Sequence, residues 1–142
     1  MKLKISLLLA VCLCLYLTSC KSPSGPSDTS TTTSVSLPKS GDWTASTAFG
    51  SFDFTVNSSS TYITKINFNF SNWKGRSGSV SVSKDPGWAI SNRTFKIETS
   101  IMSDQWTIDG TFETNGNKAS GNWKAVIGSQ TETGTWQSSP KS

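Results

Sequence analysis

Antiparallel all-β structure is what this sequence predicts, as a β-sandwich ending in a C-terminal meander, with a small up-and-down β-barrel as the alternative. Three observations carry that expectation. Apolar residues recur at every second position, as in Phe52, Phe54 and Val56 or Ile66, Phe68 and Phe70, the period of a strand with one face in a core. No segment shows the apolar period of a helix. Beyond Leu37 there is no Leu at all, while Val, Ile, Thr, Phe and Trp dominate. Turn signals such as Asn115-Gly116 separate the alternating runs.

The 142 residues give room for one domain, and the first forty precede it. Met1-Lys2-Leu3-Lys4 is a short positive segment, and Ile5 to Leu17 is an apolar run of 13 residues. That run is shorter than the roughly 20 residues that span a bilayer. It suits the hydrophobic region of a secretory signal. The run ends in Leu17-Thr18-Ser19-Cys20, which resembles the lipobox of bacterial lipoproteins. The resemblance implies that residues 1–19 are a signal peptide, cut just before Cys20, and that Cys20 carries diacylglycerol on sulfur. Cys12 and Cys14 leave with the signal, so no thiol remains for a disulfide or for catalysis. Two or three acyl chains would hold the protein on the membrane stably. Lys21 rather than Asp follows Cys20, which favours the outer membrane in a diderm cell.

Residues 20–40 read as the lipidated cysteine and a disordered tether. Fifteen of the 20 residues from Lys21 to Ser40 are Ser, Thr, Pro or Gly, too polar to offset the entropy of ordering. Such a tether reaches about 25 Å. The β-domain is expected over residues 41–138, with 139–142 as a tail.

Within the domain the strands follow in order. Trp43 packs near the first strand. A five-residue loop, Asn57 to Thr61, would set Phe52 against Ile66 and Phe54 against Thr64. Val80 and Val82 alternate with serines. Phe95, Ile97 and Ile101 share one face, and a loop of Met102 to Gln105 would pair Ile101 with Trp106 and Phe95 with Phe112. Asn115-Gly116 centres a hairpin that pairs Phe112 with Ala119, Ile108 with Trp123 and Trp106 with Ala125, with Glu113 meeting Lys118 outside. A loop of Gly128 to Thr131 would set Trp123 against Trp136, both core residues with Trp106.

Gly110-Thr111-Phe112, Gly121-Asn122-Trp123 and Gly134-Thr135-Trp136 each place a glycine two positions before a large ring, on the same strand face, where it leaves room for a neighbouring ring. Together with Ile108 and Ala119-Ser120 these residues resemble the I-x-G-T-F … A-S-G-x-W … G-T-W signature of a widespread all-β module of secreted and lipid-anchored bacterial proteins. The resemblance spans about Trp43 to Gln137 and implies a sandwich-like framework with no activity. Many such modules carry a cysteine pair that this chain lacks.

Composition removes several chemistries. Histidine is absent, so His metal sites and His-dependent triads are excluded. Basic residues outnumber acidic ones 13 to 9, and loss of Lys2 and Lys4 with the signal leaves 11 against 9. That balance speaks against nucleic-acid binding. The carboxylates fall on outward strand faces or turns, so no enzyme activity, metal or cofactor is expected, a two-carboxylate hydrolase being a distant alternative. Trp73 and Trp88 differ from the core tryptophans by flanking turn sequences, Lys74-Gly75-Arg76 and Lys84-Asp85-Pro86-Gly87. Ring faces near the surface suit sugar stacking, which makes Trp73, Trp88, Lys74 and Arg76 the candidate ligand-binding residues. The competing reading has these rings cap the end of the domain. The expectation is a monomeric, lipid-anchored, non-catalytic envelope domain binding a glycan or a protein; a structural or assembly accessory without a specific ligand is the alternative. Metabolic labelling with a palmitate analogue should tag the wild type and leave Cys20→Ser unlabelled.

Overall fold

Eight strands carry the period-two pattern: β1 (Gly41–Thr47), β2 (Gly50–Val56), β3 (Tyr62–Trp73), β4 (Arg76–Ser91), β5 (Thr94–Ile101), β6 (Asp104–Phe112), β7 (Ala119–Ile127) and β8 (Gln130–Pro140). They belong to a computed structural model that describes residues 36–142. Cys20 and the signal segment lie outside the described residues. Every strand pairs antiparallel with its neighbours in sequence, and β1 closes on β8 through Trp43 opposite Pro140 and Ala45 opposite Ser138.

The sandwich expectation is thereby corrected to its alternative, a closed up-and-down barrel. A sandwich needs two separate sheets. Here a single sheet curls until its first and last strands meet, because no connection crosses from one face to another. The interior explains why that closure is stable. All seven phenylalanines and five of the six tryptophans are buried, and an eight-stranded barrel is just wide enough for side chains to fill. Phe49, in the β1–β2 turn, folds inward across one end and meets Trp106 and Trp123 edge-on at 5.2 and 5.1 Å. Trp43 closes the other end against Phe112, also edge-on at 5.2 Å.

Glycine makes this crowding possible. A Cβ on Gly134 would lie 2.5 Å from Trp123 Nε1, and one on Gly110 would run into the Trp136 ring. The room expected from the glycine-before-aromatic pattern is present, but it is used across strands.

Three registers differ from expectation by two residues. In β5–β6 the turn is Met102-Ser103, so Ile97 meets Ile108 and Thr99 meets Trp106. In β7–β8 it is Gly128-Ser129, so Trp123 faces Gly134 and Trp136 faces Gly121. In β2–β3 a bulge beside Val56 sets Phe52 against Phe68 and Phe54 against Ile66. A slip of two keeps every apolar residue inside, so alternation alone does not detect it. What decides is twist, which favours two-residue hairpins with left-handed backbone; Met102 and Ser103 have φ of 51° and 77°. The slip also replaces an unfavourable Glu98–Asp109 pairing with Lys96 opposite Asp109. The β6–β7 hairpin has the expected register. Glu113 and Lys118 meet there through a 2.9 Å backbone hydrogen bond, while the Glu113 carboxylate accepts from Asn115.

The tether expectation is corrected at its C-terminal end. Residues 36–40 lie against the barrel: Ser36 N–H donates to Thr114 O, Lys39 N–H to Gly116 O, and Ser60 Oγ to Pro38 O at 2.6 Å. Trp43 Nε1 donates back to Lys39 O at 2.9 Å. The expected tail is likewise shorter, since β8 runs to Pro140 and Lys141 N–H donates to Asp42 O.

One seam is sparse. β4 and β5 share two pairs, Ile90 with Phe95 and Ser91 with Thr94. On its other side, four residues of β4, Lys84 to Gly87, stand opposite Thr64 alone. Phe49→Ala should destabilise the domain by about 3–5 kcal/mol through lost burial and a cavity, read from urea unfolding.

Candidate functional site

Three of the four residues singled out from sequence come together. Trp73, Lys74 and Arg76 lie at the β3–β4 turn, at the end of the barrel that Phe49 closes. Trp88 is elsewhere, on the far side of the β4 bulge and opposite Ile63. Trp88 is buried, which corrects the exposure expected for it, while Trp73 keeps part of its surface open beside its aromatic neighbours. Trp73 is half-buried, stacked on Phe70 at 6.2 Å and packed against Phe49, Trp106 and Trp123. Trp88 is 6% exposed, and Lys84 Nζ sits over its ring at 5.8 Å. The physical reason lies in the hairpin register. Trp88 stands opposite inward Ile63, and the irregularity between Phe70 and Trp73 turns the Trp73 ring back over the barrel end, so the turn sequences beside them do not carry the rings outward.

Both cations near Trp73 are engaged as well. Lys74 Nζ bonds Glu132 Oε1 at 2.6 Å, linking the turn to β8. Arg76 pairs with Asp104, a buried carboxylate at the start of β6. These contacts fasten the β3–β4 hairpin across the barrel end. The cluster is a clasp on the aromatic core.

With the interior filled, concave polar surface is found on the outside, where strand pairing aligns outward residues into rows. One row runs Ser120, Gln137, Ser46, Ser51, Asn69 and Ser79 across six strands. A second runs Ser139, Thr44, Asp53, Asn67 and Ser81, and a third Asp42, Thr55, Lys65 and Ser83. Hydrogen bonds tie these rows together. Ser81 Oγ donates to Asn67 Oδ1 at 2.7 Å, Asn67 Nδ2 to Asn69 Oδ1 at 2.9 Å, and Asn69 Nδ2 to Asp53 Oδ2 at 3.4 Å. Thr55 Oγ1 donates to Asp42 Oδ1 at 2.6 Å, and Lys141 Nζ lies 3.0 Å from Asp53 Oδ1.

Two shallow clefts open along these rows. The smaller, about 250 Å³, is lined by Asp42, Asp53, Lys65, Asn67, Ser81 and Lys141. The larger, about 510 Å³, lies between the β6–β7 loop and β1, with Thr44, Ser46, Glu113, Lys118, Ser120 and Gln137. Asp53 is the group with the most shaped environment. Partial burial opposes its ionisation, but hydrogen bonds from Lys141, Thr44 and Asn69, with the Lys141 charge, outweigh burial and hold its pKa below the ordinary aspartate value.

Alternation with Phe52, Phe54, Ile66 and Phe68 sends Asp53, Asn67 and their neighbours outward. The pattern alone does not assemble the site, because cross-strand alignment depends on registers that slip in steps of two. The signal available was the run Lys65, Asn67, Asn69 opposite Ser51, Asp53, Thr55, polar partners whatever the even register.

Compared with known protein families, with curated proteins and with solved structures, the chain matches none.

Because the folded-state pKa of Asp53 is lowered, its contribution to stability is present above the ordinary aspartate pKa and is lost as pH falls through the lowered value. Lys141→Ala should raise the Asp53 pKa towards the ordinary range, as read by NMR titration of the side-chain carboxyl. The variant should also lose less stability than wild type on acidification.

Proposed function

We propose that this chain is a lipid-anchored, non-catalytic envelope protein, held by acyl chains on Cys20, that binds a neutral glycan on the outer face of β1 to β4. One observation carries the reading. The barrel interior is taken up by aromatic side chains, while the exterior presents rows of hydroxyls, amides and a carboxylate cross-linked into fixed positions. Vicinal sugar hydroxyls both donate and accept, and a preset Asn–Asp–Ser array answers them without an ordering cost at the moment of binding. Stacking on Trp73 and Trp88 is not part of this reading, since the core holds both rings.

The same geometry supports a binding role over hydrolysis. A glycosidase needs one carboxyl kept protonated as general acid by a raised pKa. Asp53 is shifted the opposite way, and Asp42 is engaged by Thr55.

Retention of the mature protein on a panel of immobilised neutral and uronate polysaccharides tests the reading. At least one neutral polymer should bind. The Asn67→Ala/Asn69→Ala variant should bind about tenfold more weakly, a loss of about 1.4 kcal/mol. Lys96→Ala, on β5 outside the rows, should bind as wild type. Equal retention of all three proteins, or none on any polymer, would remove the proposal.

A further inference from the structure

The two ends of the barrel dispose their charges and apolar side chains differently. At the end that Phe49 closes, the charged groups engage one another, Lys74 with Glu132 and Arg76 with Asp104. At the end that Trp43 closes, residues 36–40 form a strap bonded to both the Asn57–Thr61 loop and the β6–β7 loop. There Lys39, Arg93 and Lys118 make no ion pair among the described residues. Two acids at this end, Asp42 and Glu113, already accept hydrogen bonds from Thr55 and Asn115.

The apolar side chains are as unevenly placed. Leu37 is the one leucine beyond Leu17, and it is 69% exposed although Pro38 beside it is buried. Tyr62, the one tyrosine beyond Tyr16, is half-buried at the start of β3, two residues from the Ser60 that holds the strap. A solitary exposed leucine carries no message. A leucine grouped with a tyrosine and three unpaired cations is the composition of an interfacial surface. Leucine enters the acyl boundary, tyrosine sits at headgroup level, and lysine and arginine meet lipid phosphates.

We infer that this end of the barrel docks on a lipid bilayer, and that its partner is the leaflet holding Cys20. The inference rests on the anchoring of Cys20 proposed above, and the path of the chain selects the partner. Fifteen residues, Lys21 to Val35, separate Cys20 from Ser36, and Ser36 N–H is bonded to Thr114 O. The segment that carries the lipid therefore joins the described fold beside Leu37. Acylation keeps this surface at a high local concentration of lipid, where a contact too weak to recruit the free protein is still populated. Met102 supplies the comparison. It is 71% exposed at the other end, where the strap is absent and the turn cation Lys74 is paired. Docked through the strap end, the barrel holds its polar rows on its side, clear of the lipid.

The test uses the full-length chain, purified in its membrane form and placed in vesicles of phosphatidylethanolamine and phosphatidylglycerol. A fraction of the phosphatidylglycerol carries a photoactivatable headgroup. After irradiation, peptide mapping should place the lipid on residues 36–40, 57–61 and 113–118, and not on the Met102-Ser103 and Gly128-Ser129 turns. Leu37→Glu, a change at an exposed side chain, should lose most of that labelling. Raised salt, which screens Lys39, Arg93 and Lys118, should do the same. Equal labelling of the two ends overturns the inference. So does labelling of 57–61 and 113–118 that Leu37→Glu leaves unchanged, because the tether alone would then account for the proximity. The N-terminal peptide of the same digest reads acylation of Cys20. An acylated chain without the contrast between ends loses the docking surface alone, whereas an unacylated chain without it loses both anchor and surface. An unacylated chain that still shows the contrast loses the anchor and keeps the surface.

Discussion

Ring volume inside a closed eight-stranded sheet is the constraint from which the rest of this structure follows. The barrel radius is set by strand number and tilt, so the interior must be filled by whatever faces inward. Phenylalanine and tryptophan fill it here, and the consequence is visible at each point of contact. Trp123 and Trp136 each stand opposite a glycine on the paired strand, and Phe52 meets Trp136 edge-on at 5.4 Å. Packing on this scale outweighs local costs. The indole N–H groups of Trp106 and Trp123 are buried without an acceptor among the described residues, each worth about 1–3 kcal/mol if left unmade. Trp136, by contrast, reaches Asp109 O and Asn122 O.

Filling the barrel also decides where recognition can occur. Barrels of this strand number can hold one small ligand when their side chains are small, but here that volume is gone. The surface open to contact is therefore outside, built from residues that alternation sends away from the core. The same logic accounts for the fate of Trp73, Lys74 and Arg76. A ring next to a turn and two cations beside it look like an exposed platform in sequence, yet the turn itself bends over the barrel end. There the ring finds four aromatic neighbours, and both cations find carboxylates on other strands.

Much of the fold is legible in the residues. Alternation identifies which side chains are inside, and the β6–β7 register follows from Asn115-Gly116 together with the faces it aligns. Closure is less legible, because a sandwich and a barrel use the same one-sided strands. The difference lies in whether β1 meets β8, a pairing for which Trp43 to Ser46 and Gln137 to Pro140 carry no local signal. The slip in β5–β6 has a similar origin, since the left-handed Met102-Ser103 turn lacks the glycine that usually announces such a turn. Composition reads residues 36–40 as tether, yet they lie against the barrel. Ser36, Pro38 and Lys39 are held through backbone atoms, and composition does not report backbone hydrogen bonding.

The pairing of β1 with β8 has a bearing on how the chain folds. Seven of the eight seams join strands adjacent in sequence, which need only short loops to close. The eighth joins residues near 45 to residues near 138, a span covering nearly the whole domain. Meander hairpins can therefore form as soon as their residues are available, whereas the last seam must wait for the C-terminus. Until then one flank of β1 stays open beside its completed neighbours, so a chain that appears N-terminus first is most prone to mispairing just before β8 is complete. Folding of this barrel should be paced by that single long-range closure and not by the many local ones.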